Sequence, residues 1–515
     1  MESAWSRSGA AVAVVAVVVL LTWSKGKRSS RLGRALPGPK GIPILGNAHE
    51  LPPYHSWLKF TEWAKQYGPI YQISILGSSH VIVSTDKIAN HLLRDRGAHY
   101  SSREQLPFAV KLVTNLRIAF LPYNDLWRRE RKLMTNFMKM TDLAEKVQLD
   151  ESLKLIHGLL EFPADYEKKL NIYSSSIIMR LTYGKSVETG EEESFKSVLR
   201  CGHEFERYAS PGAYLVDVFP VLLWLPKWLA PFKQEAERLR AEVTGLFRSF
   251  LSDAMAAKQG ENFSQAWLAT QDQYQFTFDE AAFAMGQVFE AGAATTSAAM
   301  HSYLLALLHH PEWQKCIQAE VDSVVPSTRL PGFSDMRKLP IVRAAVKESL
   351  RWRPVTPGNL PHKLTKDDVY EGFLIPKGTN VHAVQWAIHR DPDLYPHGDS
   401  FMPQRWLEST FPTYREPLDQ YPNLAGFSAF GYGRRICVGQ PLAEQSLYLF
   451  AARFAWACNI QHQLREDGSK IEPPLYDYTH GFSVQPNPFP FVLRARSEDR
   501  SKLVARGCEA AKQYS

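Results

Sequence analysis

Cysteine is scarce in this chain. Only five of the 515 residues are cysteines, and none stands in a CxxC pair or at a spacing typical of a zinc site. An odd number of unclustered cysteines does not indicate a disulfide framework. We therefore expect the body of the protein to face a reducing compartment.

The chain also lacks a strong charge bias and an internal repeat. It has 60 Lys and Arg against 53 Asp and Glu, which gives a net charge of +7. The basic residues are spread out rather than clustered with aromatic residues, so we expect no nucleic-acid interface. The small positive excess favours docking to an acidic partner or to an anionic membrane face. Without a visible linker, residues 47–515 are predicted to form one domain.

A long uncharged run occurs at the N-terminus. Residues 9–23 read GAAVAVVAVVVLLTW, and five basic residues follow between positions 25 and 34. Residues 1–35 are predicted to be a membrane anchor with a basic flank, although about 20 residues usually span a bilayer. A cleaved signal peptide is the alternative, but only Arg7 precedes the run. Basic flanks stay on the cytosolic side, so the body should be cytosolic. Residues 36–46 are predicted to be a proline-rich hinge between the anchor and the body.

The stretch FGYGRRICVG, residues 430–439, is the strongest chemical signal. Its glycines allow a tight turn and close approach to a flat ligand. Arg434 and Arg435 precede Cys437, and basic neighbours favour a thiolate. The apolar pattern after Gly439 predicts a helix whose N-terminus further stabilises an anion. A lone thiolate suits an iron with one protein ligand, whereas a buried structural cysteine is the alternative.

A second signal is one long helix. Thr277 to Glu280 form a capping box, and the apolar pattern runs to His310 before Pro311. The middle of this helix reads FEAGAATTS, residues 289–297. Its small residues predict either space for a small molecule or a close crossing of two helices.

Three shorter motifs have meaning mainly through their order. WRRERK, residues 127–132, places Trp127 and Arg131 on one helix face. Glu348 and Arg351 stand three apart on a helix, and PHKLT follows with His362. Alone, each motif also fits an ordinary solvated helix or a surface histidine.

Together these residues resemble the cytochrome P-450 family, in particular its fungal microsomal members. The resemblance implies a mainly α fold with small β-sheets, in which a long helix crosses a haem held by a cysteine loop. It implies haem b with Cys437 as the axial ligand of the iron, and a buried cluster of Glu348, Arg351 and Arg405 that supports the loop. The other residues implied to bind the cofactor are Trp127, Arg131, Ala291, Gly292, His362, Phe430, Gly431, Arg435 and Gly439.

The resemblance also implies that Thr295, with Thr296 beside it, delivers protons to dioxygen. The family usually has an acid before that threonine, whereas this chain has Ala294. Glu290, one helical turn earlier, or ordered water is predicted to replace the acid. Glu290 could instead contact substrate, or the reaction could depend less on proton delivery.

The implied activity is that of a haem-thiolate monooxygenase that oxidises a lipophilic small molecule in fungal secondary metabolism. An NADPH-cytochrome reductase is the expected electron donor, with cytochrome b5 as a further candidate. The expected location is the endoplasmic reticulum membrane, crossed once. Oxidative coupling, ring closure or desaturation without oxygen insertion is the alternative, and a non-catalytic haem sensor is a remote one. The apolar segment 218–232 is predicted either to dip into the membrane beside the substrate entrance or to pack inside the protein.

Overall fold

The computed structural model describes residues 33–210, 212–257 and 260–513. The described part is mainly helical, with three small sheets, as the sequence predicts. The helices are α1 (Ser56–Tyr67), α2 (Asp86–Ala89), α3 (Gly97–Tyr100), α4 (Asp125–Phe137), α5 (Thr141–Glu161), α6 (Tyr166–Tyr183), α7 (Glu193–Ala209), α8 (Leu215–Val218), α9 (Pro231–Ala257), α10 (Phe263–Ala269), α11 (Phe278–His309), α12 (Pro311–Val324), α13 (Pro340–Trp352), α14 (Gln385–Ile388), α15 (Gln440–Ala457) and α16 (Glu498–Gln513). The strands are β1 (Ile70–Ile75), β2 (Ser78–Val83), β3 (His362–Lys363), β4 (Asp368–Tyr370), β5 (Phe373–Ile375), β6 (Asn380–Ala383), β7 (Cys458–Gln461) and β8 (Val492–Ala495).

The largest sheet has four strands in the order β1-β2-β6-β3. β1 and β2 form an antiparallel hairpin, with Ile70 opposite Val83. The turn consists of Leu76 and Gly77, both at positive φ, which suits the right-handed twist of a two-residue hairpin. β6 joins β2 in parallel and β3 antiparallel, so His362 lies at the edge of this sheet.

The long helix α11 confirms the capping-box prediction. The Thr277 side chain accepts from the Glu280 amide, and the Glu280 carboxylate accepts from the Thr277 amide at 2.8 Å. Each bond satisfies an amide that would otherwise lack a partner at the start of the helix. α11 packs against α6, α9, α13 and α15, so it passes through the hydrophobic core.

A buried ionic cluster joins α13 to the segment before the cysteine loop. Glu348, Arg351 and Arg405 are fully buried, and Glu348 accepts from Arg351 at 2.8 Å and from Arg405 at 3.1 Å. The backbone amide of Met402 and the indole of Trp406 also donate to Glu348. The predicted partnership of Arg405 with the Glu348–Arg351 pair is thus confirmed.

The apolar segment 218–232 forms short turns on the surface. Trp224 is 88% exposed and Trp228 is 77% exposed, and Val221 in the same segment is also exposed. The alternative that this segment packs inside the protein is therefore wrong for these two tryptophans.

Residues 478–491 contain one bridge, between Tyr478 and Pro486, and the regular strand β8 comes immediately afterwards. Three prolines in that stretch remove the donors that a longer ladder would need.

The predicted anchor at residues 9–23 lies outside the described residues. Among those that are described, no helix combines the length and apolar character that crossing a bilayer requires.

Candidate active site

Cys437 lies in a tight loop that leads into α15. Its amide donates to the carbonyl of Phe430 at 2.8 Å, which closes the loop. Gly431 and Gly433 both have positive φ. A Cβ at Gly433 would lie 2.1 Å from the Leu93 carbonyl oxygen, so only glycine fits there. Gly439 precedes α15, and the amides of Gly439 and Gln440 are within hydrogen-bonding reach of the sulfur.

The Cys437 side chain is neither sealed in the core nor freely solvated. The residue has accessible surface, although protein atoms surround it closely enough for burial to raise the pKa of its thiol. The Gly439 and Gln440 amides and the Arg131 charge oppose this rise. A bound metal cation would supply the further stabilisation that a thiolate needs here. Among the described residues no group of three or more side chains could hold a metal ion, so the lone soft sulfur fits an iron that a macrocycle holds.

The expectation that Arg434 and Arg435 would stabilise the thiolate is wrong. Arg434 turns outward to the Tyr123 hydroxyl. Arg435 turns inward and donates to three backbone carbonyls, of which Leu121 is the nearest at 2.6 Å. Arg131, on α4, is the basic group whose charge acts on Cys437, because the helix brings it against the loop at the Ile436 carbonyl, 2.6 Å away.

Three arginines and a histidine surround the site without a carboxylate beside them. Arg131, Arg435 and His362 are joined by Arg103, and within the part of the chain that the structure describes none of these four forms an ion pair. Burial lowers the pKa of Arg435 to about 9 and places that of His362 well below its ordinary value. Arg103 keeps a buried Nε atom that has no partner. Buried donors without partners are costly, and the two propionates of a haem would satisfy them.

Arg103 is a candidate that the sequence did not indicate. Its Nη1 donates to the carbonyls of Leu360 and Pro361, immediately before His362. It lies in the loop after α3, where neither helical nor strand periodicity marks a position. An arginine preceded by two serines carries no pattern that points to a propionate.

Trp127 and Arg131 share one face of α4, as their spacing predicts. Asn124 caps this helix by accepting from the Trp127 amide at 3.0 Å. The Trp127 ring is buried, and the Arg435 guanidinium lies 4.5 Å from its centroid. Helix α4 and the cysteine loop are therefore in contact at Trp127 and Arg435.

The middle of α11 presents a partly open face inside the protein. Ala291 and Ala294 are exposed, although the neighbouring Phe289 and Ala293 are buried. Exposed residues at the centre of a core helix indicate an internal cavity. Thr295 lies on this face and donates to the Ala291 carbonyl at 2.7 Å, while Thr296 is half-buried.

Gly292 serves a different purpose from the one predicted. A Cβ at this position would lie 2.5 Å from Cγ1 of Ile178 on α6. Gly292 thus permits the close approach of α11 and α6, which is the helix-crossing alternative, whereas Ala291 borders the cavity.

Glu290 is paired with an arginine that the sequence did not connect to it. Its two carboxylate oxygens accept from the two terminal nitrogens of Arg117, one of them at 3.3 Å. Both side chains are buried. The predicted part of Glu290 in proton delivery stays a prediction.

Comparison with known proteins gives a consistent result. The family model described as Cytochrome P450 matches residues 36–491. Cytochrome P450 monooxygenase psoD of Aspergillus fumigatus is 35% identical, with 93% of this chain and 94% of that protein covered. Cytochrome P450 monooxygenase aneD of Aspergillus aculeatus is 33% identical, with 94% and 92% covered. A solved zebrafish cytochrome P450 described with progesterone has a TM-score of 0.70 and 26% identity, covering 87% of this chain and all of that one. The chain belongs to the cytochrome P450 family, is an oxidoreductase, and takes haem with a cysteine thiolate as its axial ligand.

Proposed function

We propose that this protein oxidises a lipophilic small molecule in fungal secondary metabolism, using dioxygen and two electrons that a reductase transfers from NADPH. The observation that carries this proposal is a lone cysteine loop beside an open helix face and beside three arginines, Arg103, Arg131 and Arg435, that form no ion pair with any described residue. The fungal relatives are named as monooxygenases, which supports oxygen insertion as the reaction.

The residues would divide the work as follows. Cys437 binds the iron, and Arg103, Arg131, His362 and Arg435 hold the propionates. When bound, haem supplies the reductive activation of dioxygen. The Thr295 hydroxyl donates a hydrogen bond to the Ala291 carbonyl, so its oxygen can accept a hydrogen bond from a water on the open face of α11.

The proposed reductase site is an exposed basic surface next to the cysteine loop. The guanidiniums of Arg128 and Arg434 both lie over the Tyr123 ring, at 4.8 and 4.9 Å from its centroid. Lys132 is exposed on the same helix as Arg128. None of the three forms an ion pair within the described ranges, so their charges are free to meet an acidic partner.

We propose attachment to the endoplasmic reticulum membrane, with the catalytic domain in the cytosol. The exposed Trp224 and Trp228 support a second membrane contact, because indole rings favour the headgroup region. If residues 1–35 are deleted, the double variant W224S/W228S should bind liposomes less than the unaltered domain. The control is the double variant Y54S/L58S, which alters two other exposed apolar residues. Equal binding by W224S/W228S and the parent domain would contradict the second contact.

The function is tested by reconstituting the full chain with an NADPH-cytochrome reductase in a metabolite-producing fungal host under labelled dioxygen. Oxygen insertion predicts a new product that contains one labelled oxygen atom. A product that has lost hydrogen and gained no label would instead support coupling, ring closure or desaturation. Ala294 favours this second candidate, because the position before Thr295 offers no carboxylate and the neighbouring Glu290 is engaged by Arg117.

A further inference from the structure

The contacts of Glu290 belong to a larger set that fixes one loop against α11. Gln287, one turn before Glu290, accepts from the Ile118 amide and donates to the Leu116 carbonyl at 3.1 Å. Glu290 holds Arg117, the residue between these two. Two side chains from one face of α11 thus grip three consecutive residues of the loop.

Arg117 also reaches the helix that covers this region. Its Nε donates to the Tyr208 hydroxyl on α7 at 3.1 Å, and its guanidinium lies 4.2 Å from the Phe205 ring centroid. Burial alone would lower the pKa of Arg117, but Glu290 and Tyr208 outweigh it and raise the pKa. The guanidinium is therefore a fixed charge that joins a loop and two helices.

The far side of the same loop is attached to the cysteine loop. Arg435 donates to the carbonyls of Ile118 and Leu121, at 3.1 and 2.6 Å. Residues 116–121 consequently connect the candidate haem-binding loop to the helix that carries Thr295. Gln287, Glu290 and the exposed Ala294 are spaced three and four residues apart on α11, so the loop lies beside the open face of this helix.

We propose that Arg117 and Glu290 form a positioning clamp that fixes residues 116–121 as a wall of the substrate chamber, and that Glu290 does not relay protons. Both carboxylate oxygens are used by Arg117, so a relay through Glu290 would first have to break a buried ion pair. The clamp deepens the proposed monooxygenase function, and its catalytic consequence rests on that function.

The loop itself can be followed by amide hydrogen exchange in the haem-loaded protein. We expect the single variants E290Q and R117M to speed exchange of residues 116–121 by about tenfold or more, because either change leaves one buried partner without the other. The double variant R117M/E290M should recover part of the protection. The control is R248M, which breaks an exposed pair with Asp279 at the start of the same helix and should leave this loop unchanged. Wild-type exchange in both single variants would overturn the clamp. If R117M does not fold, R117K provides the second single variant, since it keeps the charge and loses the paired geometry.

The chamber wall can be tested with haem-binding azoles of different size. The absorbance change on binding imidazole, which needs little space, should give the same Kd in wild type and E290Q. Clotrimazole fills more of the chamber, and its Kd should change several-fold in E290Q and not in R248M. An unchanged clotrimazole Kd would contradict the clamp.

A relay would leave a different pattern. Unaltered loop exchange and azole binding in E290Q, with slower turnover and a larger solvent isotope effect, would assign Glu290 to proton delivery and overturn the proposal. If the wild type consumes no NADPH with reductase and yields no product, the monooxygenase function fails, whereas the exchange and azole results still decide the clamp.

Discussion

Glu130 should make the folded protein lose stability as the pH rises. It lies on α4, its side chain is fully buried, and neither carboxylate oxygen has a hydrogen-bond partner in the described chain. Burial, reinforced by the charge of Glu280, raises the pKa of Glu130 well above its ordinary value of 4.5. The folded state therefore retains a proton that the unfolded state releases.

The sign and size of the effect follow from this difference. The stabilising effect of protonation is complete below the unfolded pKa and is lost as the pH rises through the folded-state pKa. Within that interval the free energy of unfolding should fall by about 1.4 kcal/mol per pH unit because of this one group. E130Q removes the titration, so its stability should fall less steeply.

The measurement is urea unfolding of wild type and E130Q at pH 5, 6 and 7, followed by circular dichroism. We expect the difference in free energy of unfolding between the two proteins to grow with pH in favour of E130Q. E498Q, at a glutamate that is 80% exposed, should run parallel to wild type. Parallel curves for wild type and E130Q would refute the reasoning, because they would mean that Glu130 carries no proton in the folded state.

Three further predictions concern the framework around the site. R405M should lower the free energy of unfolding by about 3–5 kcal/mol, because the buried Glu348 carboxylate loses one of its two arginine partners. The control R238M, at an exposed ion pair, should change it by less than about 1 kcal/mol. Both values can be measured by denaturant titration, and equal effects would contradict a stabilising role of the buried cluster. G292A should lower the free energy of unfolding by about 1–3 kcal/mol, because the added methyl group would clash with Ile178. Adding I178A should restore part of this loss. If I178A restores nothing, the close crossing of α11 and α6 is contradicted. G433A should give protein that retains little haem after gel filtration, because its Cβ would meet the Leu93 carbonyl; wild-type haem content would show that the loop can move aside.

The parts that could be predicted from the sequence are those encoded within a few residues. The capping box at Thr277 fixes the start of α11 because its donors and acceptors are three residues apart. The Cys437 loop likewise depends on glycines at local turns. The pairing of Glu348 with Arg351 needs only one turn of helix, and the order of the motifs pointed to Arg405.

Partners that are distant in sequence could not be predicted in this way. Arg117 and Glu290 are 173 residues apart, and Arg103 reaches carbonyls 257 and 258 residues away. Both arginines lie in an irregular loop, where no periodicity tells which way a side chain points. The directions of Arg434 and Arg435 could not be predicted either, although the two residues are adjacent. On this tight turn they face opposite directions, and only Arg435 faces the site.

The most direct test of the account is the identity of the iron ligand. C437S should be compared with C316S, which alters an exposed cysteine, by recording the absorbance of the reduced carbon monoxide complex. We predict that wild type and C316S show the strongly red-shifted Soret band of a thiolate-ligated haem and that C437S loses it. Retention of that band in C437S, or its loss in C316S alone, would contradict the central claim that Cys437 holds the haem.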